Sequence, residues 1–186
     1  MTNKVSIYTC QRMTGRFCDE MRQEADMLVR VLDNYGFKVL NPVIEESVPY
    51  KHELLENVNS TKLETYWRRD KEMIRESDIL LDYRTQNASD GSNNEVAYSR
   101  WCLWKPTVRV WEGKGALISR IEDDLVVPDL LGAMALISDK WGTYEKLGAW
   151  RDEMMDRCYK KWIDYQVGLD RRYHPDRDCS KKSIHE

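Results

Sequence analysis

The chain has 186 residues, 41% of them hydrophobic and 33% charged, enough apolar material for one core of α/β size plus an appendage. A net charge of −3 excludes a global field that would draw it to polymeric nucleic acid, and no apolar run approaches the roughly 18 residues of a membrane span. Five cysteines, at positions 10, 18, 102, 158 and 179, are odd in number and lack any C-x-x-C pair. With no signal peptide at the N-terminus, they read as reduced thiols of a cytoplasmic protein. Neither they nor His52, His174 and His185 show metal-ligand spacing, so no metal is expected and no cofactor is indicated. Seven Trp and ten Tyr against two Phe favour aromatics with a polar handle, as found in ligand pockets and subunit interfaces.

In chain order, Val5-Ser6-Ile7-Tyr8-Thr9-Cys10 is rich in β-formers and reads as a central strand. A loop from Gln11 to Arg16 follows, carrying Arg12, Gly15 and Arg16. Phe17, Met21, Ala25, Leu28, Val29, Leu32 and Tyr35 then recur at helical spacing and end at Gly36. Phe37 to Leu40 is a second short strand, stopped by Asn41-Pro42. Strand, covering helix and strand make a βαβ unit, which implies a parallel sheet. Residues 43 to 59 read as a loop with one helical turn around His52 to Glu56.

Thr61-x-x-Glu64 has the form of a capping box opening a helix through Glu76. Leu63, Tyr66, Trp67, Asp70, Met73 and Ile74 share one face of it, which puts the Asp70 carboxylate on an apolar stripe. Burial of an ionised carboxylate is costly unless it is paired, and burial alone raises its pKa. Asp70 is therefore either a stripe-edge residue bridged to a neighbouring Arg or part of a site. Ser77 to Tyr83 is the third strand. The loop after it holds Asn87, Ser89, Asp90, Gly91, Ser92, Asn93 and Asn94, and Glu95 stands at the start of the next helix. A glycine-bearing loop running into a helix N-terminus is an anion site, or else an ordinary βα turn with turn and cap chemistry.

Pro106 to Trp111 is the fourth strand, with Glu112 to Gly115 as its exit loop. Ala116 to Asp124 reads as helical, Leu125 to Val127 as a fifth strand, and Asp129 to Ile137 as a helix capped by Asp129. From Ser138 the chain stays helical but leaves the βα rhythm. Trp141, Tyr144, Leu147, Trp150, Met154, Cys158, Trp162 and Tyr165 form an aromatic stripe suited to packing on a core or a partner subunit. The expected organisation is an α/β domain over 1–137, a helical aromatic-rich extension over 138–167 and a charged tail over 168–186. The fold class is α/β, a doubly wound parallel sheet of about five strands, flavodoxin- or Rossmann-like. In such folds ligands bind beyond the carboxyl ends of the strands, here Gln11 to Arg16, Arg84 to Asn94 and Glu112 to Gly115.

Ile7-Tyr8 followed by Met13-Thr14-Gly15, a helix, and then Gly36-Phe37-Lys38-Val39-Leu40-Asn41-Pro42 resembles the opening of the nucleoside 2-deoxyribosyltransferase-like superfamily. So does the later run of Asp70, Ile74, Ser77-Asp78 and Ser89-x-Gly91-x-x-x-Glu95. The resemblance covers roughly residues 4 to 111. It implies cleavage of an N-glycosidic bond in a small deoxynucleoside or deoxynucleotide. The glutamate matching Glu95 then attacks the anomeric carbon, the aspartate matching Asp70 positions or protonates the base, and the tyrosine matching Tyr8 orients the nucleophile. A sugar with oxocarbenium character needs one ionised carboxylate and one proton donor. Glu95 at a helix N-terminus is expected to be ionised, and Asp70 to hold a raised pKa.

Six residues before Glu95 the base-exchanging transferases carry an aspartate; here Ser89 stands, as in relatives that hydrolyse deoxynucleoside 5′-monophosphates. A hydroxyl donates to phosphate without adding negative charge. Ser89, Gly91, Ser92, Asn93, Arg12, Gly15 and Arg16 are the expected phosphate or substrate contacts, although Asp90 places an acid one residue away. The expected activity is hydrolysis of a 2′-deoxynucleoside 5′-monophosphate through a deoxyribosyl-glutamate. The alternatives are base exchange, a non-catalytic nucleotide-binding module, an enzyme acting on a nicotinamide or ADP-ribose nucleotide, and an interaction protein working through its Trp-rich helices. A homodimer or higher homo-oligomer is expected from the aromatic stripe and from relatives in which a neighbouring subunit closes the pocket.

Overall fold

The computed structural model describes residues 4–11, 16, 18–45, 60–84, 90–111 and 124–173. Five strands form one parallel sheet: β1 (Ser6–Gln11), β2 (Lys38–Leu40), β3 (Ile79–Arg84), β4 (Thr107–Trp111) and β5 (Leu125–Val127). Their order is β2-β1-β3-β4-β5, the doubly wound order with its switch point between β1 and β3. All six residues of β1 are buried, which explains why it carries β-branched and aromatic side chains with almost no charge. The helices are α1 (Cys18–Asn34), α2 (Pro42–Glu45), α3 (Ser60–Glu76), α4 (Asp90–Ala97), α5 (Leu130–Trp141) and α6 (Tyr144–Tyr173).

Alternation along β1 sends Tyr8 and Cys10 to one face of the sheet. There they pack with Leu80 of β3, Met73 and Ile74 of α3 and Val96 of α4. Gln11 turns to the other face, where its amide donates to the Met21 carbonyl of α1 at 3.1 Å. On that side Met21, Ala25 and Cys18 of α1 cluster with Val43 of α2. Asn41 caps α2, its Oδ1 accepting from the Val43 N–H at 2.9 Å, while its amide donates to Thr9 and Gln11.

Several element ends differ from the sequence-based expectation. α4 begins at Asp90, so Glu95 lies in its second turn instead of at its start. Ser, Asp and Asn read as loop residues because they compete with the backbone for hydrogen bonds, yet the first helical turn accommodates them. α4 does not continue as an α-helix either, but passes into a π turn over Tyr98–Cys102. α5 runs on to Trp141, with Asp129 capping it by accepting from the Gly132 N–H at 2.7 Å. α6 extends to Tyr173, so the first residues of the charged tail are helical. The expected turn at His52 to Glu56 and the expected helix over 116–123 fall outside the described residues.

The chain forms two compact units, Met1–Tyr144 and Glu145–Glu186. In the first, Trp141 is buried and Tyr144 donates its hydroxyl to Asp78 at 3.1 Å. In the second, α6 presents Met155, Tyr159, Trp162 and Tyr165 to solvent, with the Tyr159 and Trp162 rings stacked at 6.4 Å. No helix among the described residues is long and apolar enough to cross a membrane.

Candidate active site

Three elements meet at the switch point, and each contributes an acidic or hydroxylic side chain. β1 supplies Tyr8, which is fully buried; α3 supplies Asp70, 4% exposed; and α4 supplies Glu95, 7% exposed. Asp70 reaches this position because the apolar face of α3 turns onto the sheet, where Met73 and Ile74 are buried beside it. Glu95 precedes Val96, which packs in the same cluster as Tyr8, Met73 and Ile74. The Tyr8 hydroxyl faces Glu95 without closing a hydrogen bond of ordinary geometry.

The electrostatics differ from the expectation of an ionised Glu95. Burial, then the Asp70 charge, lift its pKa to about 8, while donors on Cys10 and Tyr8 pull the other way. The reason lies in the position of α4: the helix terminus acts only over the first turn, and Glu95 is beyond it. Desolvation, the larger effect, therefore wins. Tyr8 is pushed well above the ordinary tyrosine value by burial and by the Glu95 and Asp70 charges, so it is a hydroxyl donor at all working pH values. Two interacting buried carboxyl groups titrate as a pair, and below about pH 8 this pair retains a proton.

Of the expected binding residues, Gly91, Ser92 and Asn93 occupy the first turn of α4, with Gly91 exposed, Ser92 buried and Asn93 between. Arg16 is ion-paired with Glu24 of α1 at 2.6 Å, and Glu24 also accepts from the Gln11 amide. Arg12, Gly15 and Ser89 lie outside the described residues.

Three residues of the site were not singled out from the sequence. Cys10 pairs in register with Asp82, and Asp82 with Arg109, so the three form a row across β1, β3 and β4. Arg109 Nε donates to Asp82 Oδ2 at 3.0 Å, with both side chains essentially inaccessible. The Cys10 thiol donates to the Ser92 carbonyl oxygen at 4.0 Å. A signal was present: strands buried on both faces read as apolar runs, and Asp82 in ILLDYR and Arg109 in TVRVW each break one.

The structure is similar to a 2-deoxyribosyltransferase of Bacillus psychrosaccharolyticus, with a TM-score of 0.51 and 19% identity over 70% of this chain and 90% of that one. The fold is that of a deoxyribosyltransferase. A conserved protein of Enterococcus faecalis V583 matches at a TM-score of 0.51 and 15% identity, over 74% of this chain and 99% of that one. A CMP N-glycosidase of Clostridium botulinum matches at a TM-score of 0.44 and 12% identity, over 72% and 98% of the two chains. No family model and no curated protein sequence matches the chain.

Proposed function

We propose that the protein hydrolyses the N-glycosidic bond of a 2′-deoxynucleoside 5′-monophosphate. The observation that carries this reading is the pair of buried, interacting carboxyl groups, Glu95 and Asp70, placed with Tyr8 at the switch point of a deoxyribosyltransferase fold. Below about pH 8 the pair holds the one proton that the reaction needs. In the free protein Glu95 is the raised member, and in the proposed working arrangement that proton stands on Asp70.

Glu95 then attacks the anomeric carbon of the sugar as the bond to the base nitrogen breaks. The electron pair leaves with the base, and Asp70 gives its proton to that nitrogen. The product is a deoxyribosyl ester of Glu95. In the second half, Asp70 removes a proton from water, whose oxygen displaces the Glu95 carboxylate from the anomeric carbon. Tyr8, whose hydroxyl faces Glu95, is assigned to orient its carboxylate between the two halves. The first turn of α4, with Gly91, Ser92 and Asn93, is the cradle assigned to the 5′-phosphate, where amide groups and the helix terminus favour an anion. Ser89, together with Arg12, Gly15 and Arg16, belongs to the same proposed cradle.

The second reading is base exchange, favoured by the likeness to a deoxyribosyltransferase. It uses the same intermediate with a free base in place of water. The exposed aromatics of α6 support assembly as a homodimer or higher homo-oligomer.

The deciding experiment incubates the protein with deoxynucleosides and their 5′-monophosphates, with and without a second free base. Base release from monophosphates alone is expected. Release only when a second base is incorporated establishes the transferase instead, and no turnover of any member returns the protein to a nucleotide-binding role. Glu95→Gln is expected to abolish base release while the protein stays folded, and retained activity in that variant removes Glu95 from the role of nucleophile.

A further inference from the structure

Two aromatic side chains stand one helical turn from the paired carboxyl groups and touch each other across the helices that carry them. α3 and α4 lie on the same face of the sheet, where Met73, Ile74 and Val96 close on Tyr8. Trp67 precedes Asp70 by three residues on α3, and Tyr98 follows Glu95 by three, where α4 passes into its π turn. The two rings meet edge to face, with centroids 5.9 Å apart and planes at 69°. Tyr98 also packs against the cluster that contains Tyr8 and Val96. Its hydroxyl accepts from Arg75 Nε at 2.8 Å, and the Arg75 guanidinium lies 5.9 Å from its ring centre. The Lys71 ammonium lies over the Trp67 ring at 5.3 Å. Trp67, Lys71 and Arg75 recur every four residues, so one face of α3 holds both rings.

We propose that Tyr98 is a positioning residue that sets the separation of the two carboxyl groups, by holding the helix of Glu95 sideways against the helix of Asp70. Its functional meaning rests on the reading of Glu95 as nucleophile and Asp70 as acid, but the separation itself can be tested without substrate. Val96 fixes α4 against the sheet, whereas Tyr98 fixes it against α3. A rigid ring with a polar handle suits that task, because the ring sets the gap and the bond to Arg75 sets the rotation. The π turn that begins at Tyr98 departs from regular helix bonding directly after the turn of Glu95, a departure that recurs at functional sites. Separation matters because nucleophile and acid must reach the anomeric carbon and the base nitrogen of one substrate together.

The test uses the charge that Asp70 exerts on Glu95 as a ruler. The full-length chain, labelled with carboxyl-13C glutamate, is titrated by NMR without ligand, and Glu95→Gln identifies the resonance. The titratable and charged groups around Glu95 are Tyr8 and Cys10 from β1, Asp70 from α3 and Asp82 from β3, with Arg109 of β4 behind Asp82. Variants of Tyr98 and Trp67 leave all of them in the chain and change no charge. Tyr98→Leu and Trp67→Leu each remove one ring, and either suffices if the other does not fold. The Glu95 midpoint is expected to fall by about 0.5 in pH or more, because a wider gap weakens the repulsion from Asp70. Tyr98→Phe, which keeps the ring, is expected to stay nearer the parent. In an Asp70→Asn background the same ring deletions are expected to move the midpoint little. A midpoint unmoved by ring deletion, or a fall equally large without the Asp70 charge, overturns the proposal, since Tyr98 then only packs or excludes water. If base release is found, Tyr98→Leu should lower kcat about tenfold or more with little change in KM. If no substrate turns over, the nucleophile reading fails, and the titrations still decide whether Tyr98 sets the gap.

Discussion

Glu95 illustrates how burial can outweigh a favourable local position. An ionised glutamate needs solvent, a cation or several donors. Here the nearest charges, Asp70 and Asp82, are both negative, and only Tyr8 and Cys10 act in the opposite direction. The consequence for rate has a definite sign. If the competent state is the pair with one proton, kcat/KM for a monophosphate falls as pH rises through about 8, because the proton destined for the base is lost. Asp70→Asn is expected to remove that limb and lower the rate by 10²-fold or more, the usual scale for a general acid. A pH–rate profile that instead rises through this region in the parent protein assigns the proton to Glu95 alone.

The same shift bears on stability. A carboxyl group whose folded pKa is raised contributes stability that is fully present below its unfolded value and is lost as pH rises through the folded one. For Glu95 that window runs from 4.5 to about 8. Glu95→Gln is therefore expected to stabilise the protein at pH 8.5, by an amount of the order of a few kcal/mol, and to change little at pH 4. Thermal unfolding at the two pH values measures it, and an equal effect at both contradicts the assignment.

Among the elements, α3 depends on a residue far from it in sequence. The Lys105 ammonium is buried and donates to the carbonyls of Ile74 at 2.6 Å and Arg75 at 2.7 Å, and also to that of Ser77. These are carbonyls at or just beyond the helix C-terminus, which a cation satisfies in both hydrogen bonding and charge. Lys105→Met keeps the stem and deletes the donors, and is expected to cost about 2–4 kcal/mol in urea unfolding because buried acceptors are left unmet. The segment from α4 to β4 is also shaped by this contact. After the π turn, the Lys105 N–H donates to the Ser99 carbonyl at 3.1 Å, and Trp104 takes a left-handed φ of 54°. Nothing in YSRWCLWKP announces such an exit, since π turns and left-handed non-glycine residues have no compositional signature.

For the molecule as a whole, the buried pair of Asp82 and Arg109 links the central strand β3 to its neighbour β4. Removing one partner leaves an uncompensated charge in the core. Arg109→Met is expected to cost about 3–5 kcal/mol, whereas replacing both residues with apolar ones of similar volume costs much less. Denaturant unfolding of the single and double variants separates these outcomes. Association belongs to the same scale: sedimentation is expected to find a dimer or larger species, and Trp162→Glu, with Tyr159→Glu, should weaken it if the exposed aromatics of α6 form the contact.

Hydrophobic patterning places the five strands and the helices α1, α3 and α5, because burial on both faces of a parallel sheet forces apolar runs of strand length. The stripe containing Asp70 is legible for the same reason, since a carboxylate at a helical core position departs from the pattern. Three things follow only from the chain's arrangement in space. Strand order puts Cys10, Asp82 and Arg109 in one row, although 72 and 27 residues separate the successive partners. The helix α4 begins at Asp90, inside the polar stretch, which puts Glu95 in its second turn and out of reach of the helix terminus. The protonation of Glu95 is then decided by neighbours from β1, α3 and β3. Charge interactions depend on distance and on excluded water, and neither is a property of a residue's place in the sequence.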